Sequence, residues 1–297
     1  MLLEKIGKTP LFRLGRVLPP GLSPKLEVYA KAEWFNPGGS VKDRPALHMI
    51  REGLASGRFR KGQTLIDSTS GNTGIAYAMI AACMGFPVEL VMPKNISVER
   101  RKIVEAYGAV IRYSDPLEGS DGARTLVEEI IAKNPDRYFF PDQYSNPANW
   151  QAHYRTTGPE IWEDTKGRIT HFIAAMGTSG TLMGASRFLK EKNPKIEIVA
   201  VQPESFHGIE GLKNMDSSVP VKIYDAKVHE RKITTPTEPA YEWTRALAAK
   251  EGILAGPSSG AALFGALTAL KDLEEGVVVV IFPDGGDKYL STQLWER

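Results

Sequence analysis

The chain has 297 residues, 42% of them apolar, with 37 Lys plus Arg against 35 Asp plus Glu for a formal net charge of +2. That length exceeds what one hydrophobic core usually serves and predicts one large or two moderate domains, of which two is the expectation. The balanced charge, with no stretch that gathers basic residues among aromatics, argues against a nucleic-acid surface.

Taken from the N-terminus, MLLEKIGKTPLFRL mixes charges with its apolar residues and holds no continuous apolar stretch of the signal-peptide kind, so an unexported, cytoplasmic chain is expected. Strand-length apolar runs then recur: LEVYAK (26–31), TLID (64–67), VELVMP (88–93), AVIRYS (109–114), RYFF (137–140), HFIAAM (171–176), EIVAVQ (197–202) and VVVVIF (277–282). The last is the longest unbroken apolar stretch among these runs and is far too short to span a bilayer. Helical periods fill most of the gaps, and continuous rather than alternating hydrophobicity suggests strands covered on both faces. The expectation is an α/β fold with parallel-rich sheets flanked by helices.

Several ends are legible. The turn NPGG (36–39) precedes a helix in KDRPALHMI, and Pro45 must fall in its first turn, so the regular helix starts near Asp43 or Arg44, or irregularly at Ser40. Ser97 suits the N-cap of SVERRKIVEAYG and Gly108 its left-handed stop; Glu238-Pro239 opens EPAYEWTRALAAKEG. SNPANWQAHY (145–154) reads as a polar, turn-rich loop and is the expected boundary between domains at 1–145 and 146–297. The single cysteine, Cys83, excludes a disulfide framework, and its apolar setting AYAMIAACMGF predicts a buried small hydrophobe. His48, His153, His171, His207 and His229 show no paired ligand spacing, so no metal is expected.

Three features carry chemistry. Lys42 falls at the mouth of the helix after NPGG, facing the positive end of the helix dipole, which disfavours an ammonium and suits an amine that attacks a carbonyl. STSGNTG (68–74) follows a strand and precedes an apolar helix, and GTSGT (177–181) repeats the design between HFIAAM and LMGASRFLKEKN. Backbone N–H groups at such helix starts converge on anions. The glycine spacing is not the dinucleotide fingerprint, and no P-loop is present. Singly, Lys42 better suits an exposed first-turn residue, and either loop a glycine turn of the kind any α/β chain needs. Together they imply a ligand with two anionic groups and a carbonyl, a description met by an amino acid condensed with pyridoxal phosphate.

GKTPLFRL, NPGGSVKDRPA, STSGNTG, MPKNISVERRKIVEAYGA, QYSNPAN followed by TTGPEIW, GTSGT, GPSSGAAL and GGDKYLST occur in this order and cover nearly the whole chain. The set resembles the pyridoxal-phosphate-dependent cysteine synthases, closest to the cysteine synthase B branch, which includes enzymes using O-phosphoserine. The resemblance implies a two-domain fold type II architecture similar to the tryptophan synthase β chain, with the first strands crossing into the other domain. It implies that Lys42 carries the cofactor as a Schiff base, that Asn72 hydrogen-bonds the ring hydroxyl oxygen, and that Gly177, Thr178, Ser179, Gly180 and Thr181 cradle its phosphate. By the same resemblance Ser258 faces the pyridine nitrogen, while Thr69, Ser70, Asn72, Thr73 and Gln143 bind the substrate carboxylate. A homodimer and a closing motion of 88–131 are implied as well.

The implied reaction is a β-replacement in which an activated serine, O-acetylserine or O-phosphoserine, loses its β-substituent and gains sulfur from a donor to give L-cysteine, with Lys42 as general base. Ser258 is neutral and makes the ring a weaker electron sink than an aspartate would, favouring loss of a β-leaving group over transamination. It also suits, with Ser259, a helix N-cap. HGIEGLKNM (207–215) matches a loop that relatives place over the site, with Lys213 where phosphoserine-using relatives carry an arginine; a lysine offers a point charge without the bidentate fork. The chain ends at Arg297, soon after KYLST, where those relatives continue into a tail over the site. The rival readings are a serine or threonine dehydratase, a cystathionine β-synthase, and a non-catalytic binding module.

Overall fold

A computed structural model describes residues 1–69, 71–94, 96–115, 119–218, 220–271 and 273–296, with backbone alone at 119–121. An antiparallel pair, β1 (Leu11–Arg13) and β2 (Leu26–Ala32), comes first. Helices and strands then alternate through α1 (Asp43–Ala55), β3 (Thr64–Ser68), α2 (Asn72–Met84), β4 (Val88–Pro93), α3 (Val98–Ala106), β5 (Val110–Ser114), α4 (Gly119–Lys133) and β6 (Tyr138–Phe139). Two helices, α5 (Pro147–Arg155) and α6 (Thr157–Asp164), lead into β7 (His171–Ala175), α7 (Gly180–Lys192), β8 (Glu197–Pro203), β9 (Arg231–Thr235), α8 (Thr237–Ala246), α9 (Pro257–Leu270) and β10 (Gly276–Phe282). No described helix is long and apolar enough to cross a membrane.

Among the described residues these strands make a six-stranded sheet, ordered β1-β2-β10-β7-β8-β9, and a four-stranded sheet, ordered β5-β4-β3-β6. Every pairing except β1 with β2 is parallel. The VVVVIF run explains the larger sheet. Its even residues Val278, Val280 and Phe282 enter the core beneath α9, with Val28, Ala262 and Leu263, while Val279 and Ile281 enter the opposite core with Phe172, Leu182 and Ile198. Period-2 alternation thus loads both faces of one strand, each buried side chain contributing roughly 1.5–3 kcal/mol. The smaller sheet repeats this, Leu65 packing under α2 and Ile66 on the other side against Val127 of α4.

All eight apolar runs are strands. β1 and β9 escape sequence reading because they are edge strands: β1 has three residues, and β9 (RKITT) alternates half-buried with exposed positions. The cap at Ser97 is present, its Oγ accepting from Arg100 N at 3.4 Å, and Gly108 takes φ +83° after α3.

Three expectations are corrected. Residues 147–155 are helical rather than loop, because Pro147 preorganises the first position and the Asn146 side chain accepts from Ala148 N at 3.0 Å. Cys83 is exposed: α2 is buried through Ala81, then its final turn runs past the core to Gly85 at φ +77°. The N-cap of α9 is Gly256 rather than a serine, so Ser258 and Ser259 follow Pro257 inside the first turn. Trp150 and Trp162 fall on separate helices. Trp150 of α5 carries the Arg187 guanidinium 4.2 Å over its ring, and Trp162 of α6 packs against the core around Phe172.

Candidate active site

Lys42 is the N-cap of α1, as the position of Pro45 requires. The turn before it is pinned from behind: Val41 N donates to Pro283 O at 2.8 Å, and the buried Lys288 ammonium donates to Gly39 O at 2.7 Å. Gly39 has φ +73°, and a Cβ there would stand 2.9 Å from Lys288 Nζ. Asp43 accepts from Gly38 N at 2.5 Å. Burial raises the Asp43 carboxyl to about 7, the Gly38 N–H and the Lys288 charge opposing it. Burial also pulls the Lys42 amine below its ordinary value, against the carboxylates of Asp284 and Glu33. A buried amine poised toward its neutral form is what attack on a carbonyl needs.

The first glycine loop joins β3 to α2. Thr69 N donates to Val91 O at 3.1 Å, and Thr69 Oγ1 accepts from Gly71 N at 3.2 Å. Gly71 has open space where a Cβ would be, whereas at Gly74 a Cβ would meet Met92 Cε at 2.9 Å, so Gly74 serves packing. Thr73 Oγ1 donates to Gln143 Oε1 at 2.8 Å, which leaves the amide N–H₂ of Gln143 as the donor end for an anion. Asn72 Nδ2 donates to Asp284 Oδ2 at 2.7 Å, and its buried Oδ1 has no protein partner. Ser70 lies outside the described residues.

The second loop joins β7 to α7. Ser179 takes φ +66°, and Gly180 opens the helix. Both glycines are required by close approach: a Cβ at Gly177 would lie 2.3 Å from Gly211 O, and one at Gly180 1.9 Å from Asn149 Oδ1. Asn149 of α5 braces the loop, its Nδ2 donating to Gln143 O at 2.6 Å and to Thr178 Oγ1 at 3.1 Å.

A cavity of about 300 Å³ opens between these parts, at the small end of the range usual for ligand sites. Its wall includes Lys42, Thr69, Asn72, Thr73, Gln143, Gly177, Thr178 and Lys213. Ser179, Gly180, Thr181 and Ser258 are not part of that wall, and Ser258, 4% exposed, is buried in the first turn of α9. Lys213 Nζ stands 4.9 Å from the centre of the Tyr144 ring. No cluster of three or more metal-ligating side chains occurs among the described residues.

The sequence alone does not single out Asp284 or Arg100. Asp284, fully buried just beyond β10, accepts from both Asn72 and the Tyr289 hydroxyl, the latter at 2.6 Å. A carboxylate at the carboxyl end of the most apolar strand was the available signal. Arg100 of α3 lines the cavity, pairs with Glu210 and lies 4.5 Å over the Tyr289 ring. Nothing in the sequence pairs residues 110 positions apart.

The family model for "Pyridoxal-phosphate dependent enzyme" matches residues 2–284. The chain is 52% identical over 299 residues to a cysteine synthase of Aquifex aeolicus, covering 99% of this chain and 91% of that one. It is 45% identical over 292 residues to the cysteine synthase B of Escherichia coli, covering 98% and 95%. The crystal structure of a cysteine synthase from Entamoeba histolytica superposes with a TM-score of 0.95 at 37% identity, over 100% of this chain and 90% of that one. A lysine at a helix mouth, two glycine loops facing one cavity, and these likenesses over the whole length agree: the chain belongs to the pyridoxal-phosphate dependent enzymes.

Proposed function

We propose that this protein is a cysteine synthase, replacing the β-substituent of an activated L-serine with sulfur in a pyridoxal-phosphate-dependent reaction. The observation that carries the reading is the convergence of Lys42 and two anion-suited glycine loops, more than 100 residues apart, on one cavity. The residues suit the cofactor. The Asn72 carbonyl oxygen is buried without a protein partner, and the Lys42 amine is held below its usual value.

Bound pyridoxal phosphate supplies the electron sink that labilises the substrate Cα–H and its β-substituent. The rest falls to the chain. Lys42 Nζ would condense with the cofactor carbonyl carbon, releasing water, and when freed from it would take the substrate Cα proton. Gly177, Thr178, Ser179, Gly180 and Thr181 would hold the phosphate, and Asn72 would meet the ring oxygen. Thr69, Ser70, Asn72, Thr73 and Gln143 hold the substrate carboxylate. Ser258 would face the ring nitrogen as a neutral partner, which would favour β-elimination over transamination. Lys213 supplies positive charge near the leaving group. A homodimer working in the cytoplasm completes the reading. Exposed Phe12 and Phe35, beside the half-buried Trp34 with ring centroids 5.7–6.2 Å apart, support the first, and a lone cysteine fits a reducing compartment.

Purified protein supplied with O-acetylserine or O-phosphoserine and sulfide tests this. L-Cysteine should form and fall by roughly 10²–10⁴ in Lys42→Ala; pyruvate alone, or cystathionine only when homocysteine is supplied, would contradict it. The ratio of efficiencies with the two serine esters, compared in Lys213→Ala, identifies the donor.

A further inference from the structure

His153 takes no part in the function proposed above, yet it is 1% exposed and joins two hydroxyls. Nδ1 lies 2.9 Å from Thr157 Oγ1 on α6, and Nε2 lies 3.3 Å from Thr181 Oγ1 at the start of α7. The ring is fixed by close helix packing. A Cβ on Gly184 would stand 2.7 Å from His153 Cβ and 2.0 Å from Trp150 O, so glycine alone lets α7 press onto α5. Burial, with Arg44 and Lys42 facing the ring, holds the imidazole well below its ordinary value and hence neutral.

A neutral imidazole has one N–H and one lone pair. With the hydrogen on Nδ1, the Thr181 hydroxyl must donate to Nε2 and shows only lone pairs to anything at the GTSGT loop. With the hydrogen on Nε2, the ring donates to Thr181 Oγ1, the Thr157 hydroxyl donates to Nδ1, and the Thr181 hydrogen is free for an anion. Only the second arrangement gives the loop an added donor.

We propose that His153 is a positioning residue for the second glycine loop, donating from Nε2 to Thr181 so that the Thr181 hydroxyl hydrogen turns to the cofactor phosphate. This rests on the reading of GTSGT as the phosphate cradle. It extends that reading to a side chain on another helix and to one tautomer.

Nitrogen NMR of holoenzyme labelled in its five histidines reads the tautomer directly: Nε2 protonated and Nδ1 bare is expected, and the reverse overturns the proposal. Cofactor titration of the apoprotein, followed by fluorescence, reads the consequence. In His153→Gln the amide nitrogen can replace Nε2 and should bind within about threefold of the parent, whereas in His153→Asn it replaces only Nδ1 and should bind about tenfold more weakly. Thr181→Val should weaken the parent about tenfold and add little to His153→Asn, since the two act as one unit. Equal affinities for the Gln and Asn variants, or additive losses, would overturn it; should both fold poorly, the NMR result decides. Parent protein is titrated first, and failure of that protein to take up pyridoxal phosphate sinks the functional reading rather than this one.

Discussion

At the scale of single residues, the site sets carboxylates and amines against burial. Asp43, next to Lys42, stays protonated to about pH 7 because its surroundings penalise the charge. The sign of its effect follows. Between its ordinary value of 3.8 and about 7 the folded protein keeps a proton that the unfolded chain releases, so this group makes stability fall as pH rises through that window. Asp43→Asn, which keeps an oxygen for Gly38 N–H, should flatten that part of the stability profile, measured by urea unfolding at a series of pH values. An unchanged slope would mean that Asp43 is ionised in the folded state. Asp67, raised by burial to about 7 beneath the first glycine loop, has the same sign and remains as an internal reference.

At the scale of elements, α3 belongs to the smaller sheet's layer yet docks on the end of the chain. Ser97 Oγ donates to Lys288 O at 3.2 Å, Glu99 accepts from Ser291 N and Oγ at 2.9 and 2.7 Å, and Arg100 pairs with Glu210. The Arg100 side chain is 3% exposed and Glu210 42%, so losing the acid strands a buried cation while solvent screens part of the pair. Glu210→Gln should therefore loosen the contact by about 1–2 kcal/mol, seen as roughly 5–30-fold faster amide exchange in 97–106 and 207–213. Exchange rates equal to the parent's would show that the ion pair holds nothing. Elements were the most legible level of the sequence. Runs buried on both faces announce themselves, and Ser97 and Gly108 marked α3. Edge strands β1 and β9 lack that signature, and α5 was hidden because Ser145, Asn146 and Pro147 read as a turn when they are a capped helix start.

At the scale of the molecule, the two sheets place their glycine loops on the wall of one cavity that Lys42 of α1 also lines. A division near residue 145 is proposed from the sequence, with β1 and β2 contributing to the larger, mostly C-terminal sheet. The lysine and both loops were visible because their chemistry is local in sequence: a turn, a glycine pattern, a helix start. Asp284, Arg100 and His153 were not, since each draws its meaning from partners on other elements. His153 looked like one scattered histidine among five; its neighbours are Thr157 and Thr181 only because α5, α6 and α7 pack together. The central claim is that one amine of this molecule bonds the cofactor. Borohydride reduction of the reconstituted protein, followed by peptide mass spectrometry, tests it directly. The account predicts a phosphopyridoxyl group on Lys42 and loss of that label in Lys42→Ala, whereas a label on another lysine, or none on protein that has bound pyridoxal phosphate, would contradict it.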